Sequence, residues 1–261
     1  MGYLHDYTKY VGNYESFSYN YTPMIDEGEE IMKVLVIIPA YNEAENIESV
    51  VEILKNQYPQ YDYVVVNDGS KDQTAQICRE NGYNLLDLPI NVGLSGGFQA
   101  GMKYAKLNGY DAAIQFDGDG QHDPRYIQNL LEAMEKEGAD IVIGSRFVEQ
   151  KKPWTSRMIG SRIIHFAIWL TTGKKIADPT SGMRLFSKKV LSEFASSMNY
   201  GPEPDTICYL LRNGAKITEV QVEMHERTAG ESYLNIPKSF WYMLCMTISI
   251  FFVQWFRKRR V

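Results

Sequence analysis

Cysteine is scarce in this chain. Cys78, Cys208 and Cys245 are its only three, far apart and odd in number. That excludes a disulfide framework and any CxxC-spaced zinc site, and leaves buried thiols in a reducing compartment as the expectation. A P-loop is missing too. Gly93-Leu94-Ser95-Gly96-Gly97 is neither GxGxxG nor followed by the Lys-Ser/Thr that a P-loop needs. No serine sits on a nucleophile elbow, so ester or peptide hydrolysis has no support. Residues 1–30 contain no apolar stretch of the signal-peptide kind, and none is expected to act as one. Excess positive charge is also lacking: the net charge of the 261 residues is −5, which makes a nucleic-acid partner a poor fit.

What charge there is lies unevenly. Residues 1–30 hold six acids against Lys9, so the remainder is neutral overall. Within that remainder Arg257, Lys258, Arg259 and Arg260 form a basic end beside apolar residues, a pattern suited to anionic lipid. The first 31 residues read as an N-terminal extension and linker. Tyr3, Tyr7, Tyr10 and Tyr14 would share one helical face, and a partner-binding helix, a fusion segment and a simple appendage all fit them.

From Lys33 onward short apolar runs alternate with amphipathic stretches. Strands are expected over 34–38, 63–66, 84–88, 112–116, 141–143 and 217–222. Helices are expected over 46–57, 72–81, 93–107, 126–136, 157–170 and 204–212. Continuous apolar strands separated by helices predict a mostly parallel, Rossmann-like α/β sheet flanked by helices, with ligands at the carboxyl ends of the strands. Polar clusters fall at three such ends: Tyr41-Asn42-Glu43, Asp68-Gly69-Ser70 and Asp117-Gly118-Asp119. Residues 178–184 read as a polar loop.

Two carboxylates flanking a glycine at a strand end can share one divalent cation, and a departing diphosphate needs that neutralisation. Gln121 adds an oxygen nearby and His122 a nitrogen. Asp and Gly also make ordinary turns, so the cluster alone leaves both readings open. Asp68 is placed to accept hydrogen bonds from a base or ribose. Gly93 opens a helix whose N-terminus favours anions, with a tight turn as the equal alternative. Arg146, Arg157, Arg184 and Arg227 fall in or near expected loops and, as a set, suit a site for two anionic substrates.

Pro39 to Glu43 (PAYNE), Val66 to Ser70 (VNDGS), Asp117 to Pro124 (DGDGQHDP), Gly144-Ser145-Arg146 and Asp178 to Gly182 (DPTSG) follow one another in that order. Together they resemble the family 2 glycosyltransferases of GT-A fold, nearest the polyprenyl-phosphate sugar transferases of the dolichyl-phosphate mannose synthase type. The resemblance runs from about Met32 to Ser232. It implies that Pro39, Ala40, Tyr41, Glu43, Asp68, Gly69, Gly93 and the Asp117-Gly118-Asp119 run hold the nucleotide sugar. Asp117, Asp119 and Gln121 would bind Mn²⁺ or Mg²⁺. Arg146, Arg157, Ser161 and Ser232 would hold the acceptor phosphate, and Arg227 would lie in a loop closing over the diphosphate. Catalysis would fall to Asp117, Asp119, Arg146 and Arg227.

The implied reaction is inverting transfer of glucose or a similar hexose from a nucleotide diphosphate sugar, with a lean to UDP, onto a polyprenyl phosphate. Transfer to a glycan hydroxyl in cell-envelope polysaccharide assembly is the alternative and would need a base. Glu203 and Asp205 lie where hydroxyl-accepting relatives carry one. No Gln-x-x-Arg-Trp run is present, which argues against a processive polymer synthase. A silent nucleotide-sugar-binding subunit is disfavoured by the intact acid pair, and a nucleotidyltransferase by the acid in Pro39 to Glu43.

Phe240 to Phe256 contains no formal charge and carries aromatic residues near both ends, which suits a helix embedded in or lying on a membrane, with packing on a partner subunit as the other reading. The expected organisation is therefore extension 1–31, catalytic domain 32–235, and membrane-associated helix with a basic end 236–261. Such an enzyme would work at the cytoplasmic face of the cell membrane, with a separate membrane subunit or a second copy of the chain as a further expected partner.

Overall fold

The chain divides at Ile31 into two compact units. The computed structural model describes residues 32–196, 201–225, 236–253 and 256, all within the second unit. The amino-terminal tyrosine series and the basic end, together with Arg227 and Ser232, lie outside the described residues.

Among the described residues seven strands form one sheet: β1 (Val34–Ala40), β2 (Asp62–Asp68), β3 (Leu85–Leu88), β4 (Ala112–Gln115), β5 (Ile141–Ser145), β6 (Arg184–Ser187) and β7 (Ile217–Gln221). Their spatial order is β3-β2-β1-β4-β6-β5-β7. All run parallel except β6, which pairs antiparallel with both β4 and β5. The chain moves outward from β1 to β3 and then returns to β4 on the other side of β1. That switch point opens the crevice in which sheets of this kind bind ligands.

Alternation along β1 decides which helix covers which face. Val34, Val36 and Ile38 join a buried cluster with α1 (Ile47–Gln57), α2 (Thr74–Glu80) and α4 (Tyr126–Glu137). Leu35 and Ile37 point the other way. There they meet α3 (Gly93–Leu107), α5 (Ser156–Thr172), α6 (Lys188–Ser196), α7 (Pro204–Arg212) and α8 (Ile236–Phe251). Each fully buried aliphatic side chain contributes about 2 kcal/mol. A one-residue slip of β1 would exchange the two sets, so its register is strongly specified.

Three expectations are corrected. Residues 178–184 are not wholly loop: Arg184 opens β6, and α6 follows directly, an element pair the sequence reading missed. Arg184 itself is no surface clamp. It is fully buried and donates to the Pro202 and Pro179 carbonyls. The C-terminal helix runs Ile236–Phe251, opening at the expected boundary and ending before Phe256. Among the described residues no helix is long and apolar enough to cross a membrane. One face of α8 packs on α5 and α7, with Ile250 fully buried in the same core as Leu35.

Candidate active site

β1 ends in Pro39-Ala40, and the next residues are tied to the loop after β2. The Asn42 amide donates to Ser70 Oγ at 2.9 Å, and the Lys71 amide returns a bond to Asn42 Oδ1 at 2.8 Å. The Glu43 amide donates to Thr74 Oγ1, and the Glu43 carboxylate accepts from Asn46 Nδ2 at 2.8 Å. Asn42 takes φ 57°, the left-handed region asparagine tolerates. Tyr41, partly exposed, stands at the rim of this stitched pair of loops.

Asp68 at the end of β2 is buried, and its Oδ1 accepts the Val92 amide at 2.7 Å, just ahead of α3. Part of its acceptor capacity is therefore used on the protein itself. Gly69 has a structural reason to be glycine: φ is +63°, and a Cβ there would stand 2.5 Å from the backbone of Ile90 and Asn91. Gly93 opens α3 beside it.

The acid pair follows β4. Gln115 Nε2 donates to Asp117 Oδ1 at 3.1 Å. His122 Nδ1 accepts the Asp117 amide at 2.9 Å, and its Nε2 stands 3.6 Å from Asp117 Oδ2. With Nδ1 accepting, the neutral ring carries its proton on Nε2, toward the carboxylate. Asp117 is thus held from two sides while about a third of its side chain stays exposed. Asp119 is buried, and its Oδ1 accepts the Gln121 amide at 3.1 Å. Gln121 enters through its backbone, its carbonyl accepting the His225 amide. Gly118 lies against the Pro39 carbonyl, so the acid turn abuts the end of β1.

Among the described residues no group of three or more His, Cys, Asp and Glu surrounds a common point. Two carboxylates at an open strand end are an incomplete cage. That donor set fits a hard divalent cation whose remaining ligands are substrate phosphates and water.

Because β6 runs backward, the Asp178-Pro179-Thr180-Ser181-Gly182 loop arrives at this same end of the sheet. Register places Gln115, Arg184 and Ile143 in one row. Asp178, fully buried, grips Arg146 in two parallel bonds of 2.6 and 2.9 Å. Burial alone would raise the Asp178 carboxyl; the bonds and charge of Arg146, with the Lys152 charge, outweigh it and hold the group below its ordinary value. Glu219 fixes the loop by accepting the Ala177 and Asp178 amides. Gly182 permits a close approach: a Cβ there would meet Asp117 Oδ2 at 2.2 Å.

Ser161 sits fully buried on α5 and accepts from Lys152 Nζ at 2.9 Å. Burial, with the neighbouring Arg146 and Arg162 charges, pulls the Lys152 ammonium below its usual value against Asp178 and Glu219. Arg157 lies in the first turn of α5, with its side chain outside the described residues. Arg146, Lys152 and Ser161 thus gather on one side of the crevice, across β6 from the acid pair. Lys152 and Gln115 were missed from sequence. Gln115 had a signal, since two residues before Asp117 on an extended chain means the same side.

Glu203 and Asp205, the candidate bases, flank Pro204 at the start of α7. Glu203 accepts from Tyr242 Oη, and Asp205 Oδ2 accepts from Ser249 Oγ at 2.6 Å, both donors on α8. Burial pushes the Glu203 carboxyl up, against the Tyr242 bond and the Arg184 charge.

A parallel sheet with a switch point, an acid pair where the chain returns to its centre and a reversed strand bringing a second loop beside it define a glycosyltransferase of GT-A architecture. The chain belongs to glycosyl transferase family 2, whose description matches residues 35–194. It is 33% identical over 216 residues to the undecaprenyl-phosphate mannosyltransferase of Micrococcus luteus, covering 78% of this chain and 88% of that one. To the polyprenol monophosphomannose synthase of Mycolicibacterium smegmatis it is 30% identical, covering 78% and 81%. Among solved structures, mannosyl-3-phosphoglycerate synthase from Rubrobacter xylanophilus superposes with a TM-score of 0.62 at 15% identity, over 88% of this chain and 77% of that one. Glucosyl-3-phosphoglycerate synthase from Mycobacterium tuberculosis, solved with UDP, gives 0.60 at 16% identity, over 84% and 80%. The expected family and fold are both borne out.

Proposed function

We propose that this enzyme transfers a hexose from a nucleotide diphosphate sugar, UDP-linked by preference, to a polyprenyl phosphate at the cytoplasmic face of a membrane, with inversion at the anomeric carbon. The observation that carries the acceptor class is the commitment of Glu203 and Asp205 to hydroxyls of α8. A hydroxyl acceptor needs a base to take its proton, whereas a phosphate monoester oxygen is already ionised at neutral pH and needs only placement. The names of the relatives support the same class: undecaprenyl-phosphate and polyprenol transferases stand at 30% identity or more. They do not share one sugar, because a 33%-identical relative from Methanococcus voltae is a UDP-N-acetylglucosamine–dolichyl-phosphate transferase.

In this reading the acceptor oxygen attacks the anomeric carbon from the face opposite the diphosphate. The bond to the leaving oxygen breaks, and its electron pair departs with the nucleoside diphosphate. Tyr41, Glu43 and Asp68, with Pro39 and Ala40, shape the nucleotide side of the crevice. Asp117 and Asp119 would hold Mn²⁺ or Mg²⁺, a pairing supported by neighbours solved with Mn²⁺, and that cation would neutralise the charge developing on the diphosphate. Arg146, oriented by Asp178, offers its remaining N–H groups to the acceptor phosphate beside Lys152. Arg157, Ser161, Arg227 and Ser232 are assigned to acceptor and diphosphate by family resemblance.

Incubation of the enzyme with Mn²⁺, undecaprenyl phosphate and a panel of radiolabelled UDP- and GDP-sugars tests this. Label extracted into organic solvent supports the proposal and names the donor. Label that stays aqueous, from a protein that still binds nucleotide, refutes the lipid acceptor and returns Glu203 or Asp205 to the role of base.

A further inference from the structure

Two buried polar atoms beneath the acid pair have no hydrogen-bond partner among the described residues: Gln115 Oε1 and Arg184 Nε. The residues that carry them are only 3% and 2% exposed. Unpaired groups this deep are rare, because leaving one unsatisfied costs about 1–3 kcal/mol. Here one atom is an acceptor and the other a donor. They also belong to directly opposed residues, since Gln115 on β4 is the register partner of Arg184 on β6. Opposed residues of an antiparallel pair share a face, with their Cβ atoms roughly 4.5–5.5 Å apart.

Other bonds fix how each group points. Gln115 Nε2 donates to Asp117 Oδ1 at 3.1 Å, which leaves Oε1 on the far side of the amide. Arg184 donates from Nη1 to the Pro202 carbonyl and from Nη2 to the Pro179 carbonyl. A planar guanidinium held through both terminal nitrogens has one direction left for its Nε–H. Burial pulls the Arg184 group below its usual value, and the charges of Glu203, Asp178 and Asp117 are among those that oppose this. The Gln115 amide has two possible senses. With its oxygen toward the guanidinium it accepts from a cation and donates to a carboxylate. Turned over, its N–H groups would face other donors and its oxygen would face Asp117 Oδ1, and both contacts are repulsive.

We propose that Arg184 is a positioning residue for Asp117 and acts through Gln115. Its Nε–H holds the Gln115 oxygen, directly or through one water. That sets the amide N–H on Asp117 Oδ1 and leaves Oδ2 to face a cation. Arg184 itself touches neither cation nor substrate. Its other bonds tie down the loop at Pro179 and the entry to α7 at Pro202, so one buried side chain sets the acid pair against both. The inference deepens the proposed function and rests on it for the cation and the nucleotide.

The test is calorimetric titration of the full chain with UDP or GDP, whichever the parent binds, in the presence and absence of Mn²⁺. The variants are Gln115→Leu, Arg184→Lys and the two combined. Arg184→Lys keeps the charge and a donor for the carbonyls but has no Nε–H. Residues that orient a metal-binding side chain typically contribute 10–100-fold to metal affinity. The gain in nucleotide affinity that Mn²⁺ gives the parent should therefore fall about tenfold or more in each single variant. It should fall no further in the combined variant, because both residues act through one chain of bonds. Metal-free nucleotide binding should stay that of the parent. Variants that melt earlier yet keep the full Mn²⁺ gain would show a merely structural role and overturn the proposal, as would losses that multiply in the combined variant. Should Arg184→Lys not fold, nuclear magnetic resonance of the arginine-labelled parent and Gln115→Leu decides. The parent should show an Nε–H protected from solvent exchange whose resonance moves in Gln115→Leu; an unmoved resonance overturns the proposal. A parent whose nucleotide binding ignores Mn²⁺ refutes the cation of the proposed function, and the same resonance then decides the contact between Arg184 and Gln115. A parent that gains from Mn²⁺ as described but transfers no sugar to polyprenyl phosphate refutes the proposed acceptor and leaves this positioning role standing.

Discussion

Gly182→Ala places one methyl group where the site has no room for it. The new Cβ would stand 2.2 Å from Asp117 Oδ2 and 3.1 Å from His122 Cε1, where ordinary contact begins at 3.4 Å. Neither neighbour is a free flexible tip: Asp117 is held by Gln115, and the His122 ring is pinned to the Asp117 amide. Relief therefore requires Asp117 or the Gly182 backbone to move by about 1 Å, and misplacement of that size costs on the order of 100-fold in rate. The stability cost is that of overpacking, about 1–3 kcal/mol, or a Tm lower by roughly 3–10 °C in a domain of this size. Steady-state transfer to polyprenyl phosphate should show the loss in kcat/KM, while circular dichroism at assay temperature shows a folded protein. A folded Gly182→Ala enzyme with parental kcat/KM would refute the placement of Asp117 against this loop, and with it the claim that Asp117 must sit where Gln115 and His122 hold it.

Asp119→Ala should remove metal-dependent turnover and cost only about 1 kcal/mol of stability, since the Gln121 amide loses one acceptor; normal turnover in Mn²⁺ would sink the metal assignment. Arg146→Met strands the buried Asp178 carboxylate and should destabilise the fold by about 3 kcal/mol in urea titration. Asp178→Asn on top of it should recover part of that loss, and strict additivity of the two changes would contradict the pairing. Glu203→Gln should keep transfer to polyprenyl phosphate within a few-fold of the parent, and abolished transfer would make Glu203 a base after all. The same variant carries a pH signature. Burial raises the Glu203 carboxyl in the fold, so the native state holds this proton more tightly than the unfolded chain does. The parent's stability contribution from this group is therefore fully present below the ordinary carboxylate range and is lost as pH rises through the raised value. Glu203→Gln should flatten that decline in denaturation midpoints measured across pH; identical slopes in the two proteins would argue against a raised carboxyl at this position.

Much of the parallel half of the sheet was legible because its signals are local. Gly93–Leu107 and Pro204–Arg212 form helices over the spans their periodicity marked. The DGD and DPTSG runs could be named because their spacing is characteristic, and the structure brings them into contact at Asp117 and Gly182. β6 was illegible for a physical reason. Four residues beginning with arginine, directly after a polar loop, carry no strand periodicity, and only pairing with β4 and β5 makes them a strand. Arg184 was misread for the same cause: its partners, the Pro179 and Pro202 carbonyls, are backbone atoms that no motif encodes. Tyr242 illustrates the limit further. Nothing in an apolar C-terminal stretch announces that one hydroxyl will reach back 39 residues to Glu203.

The reversed strand has a metric consequence. With β6 interposed, the strand leading to Asp117 and Asp119 and the strand leading to Arg146 are not neighbours; they are two inter-strand gaps apart, roughly 9.5 Å at the usual spacing. Backbone hydrogen bonds fix that interval, and side chains and loops do not. The sheet therefore acts as a caliper: loops on either side can be rebuilt for a different sugar or a longer lipid, while the separation between the acid pair and the guanidinium stays calibrated by the width of a single strand.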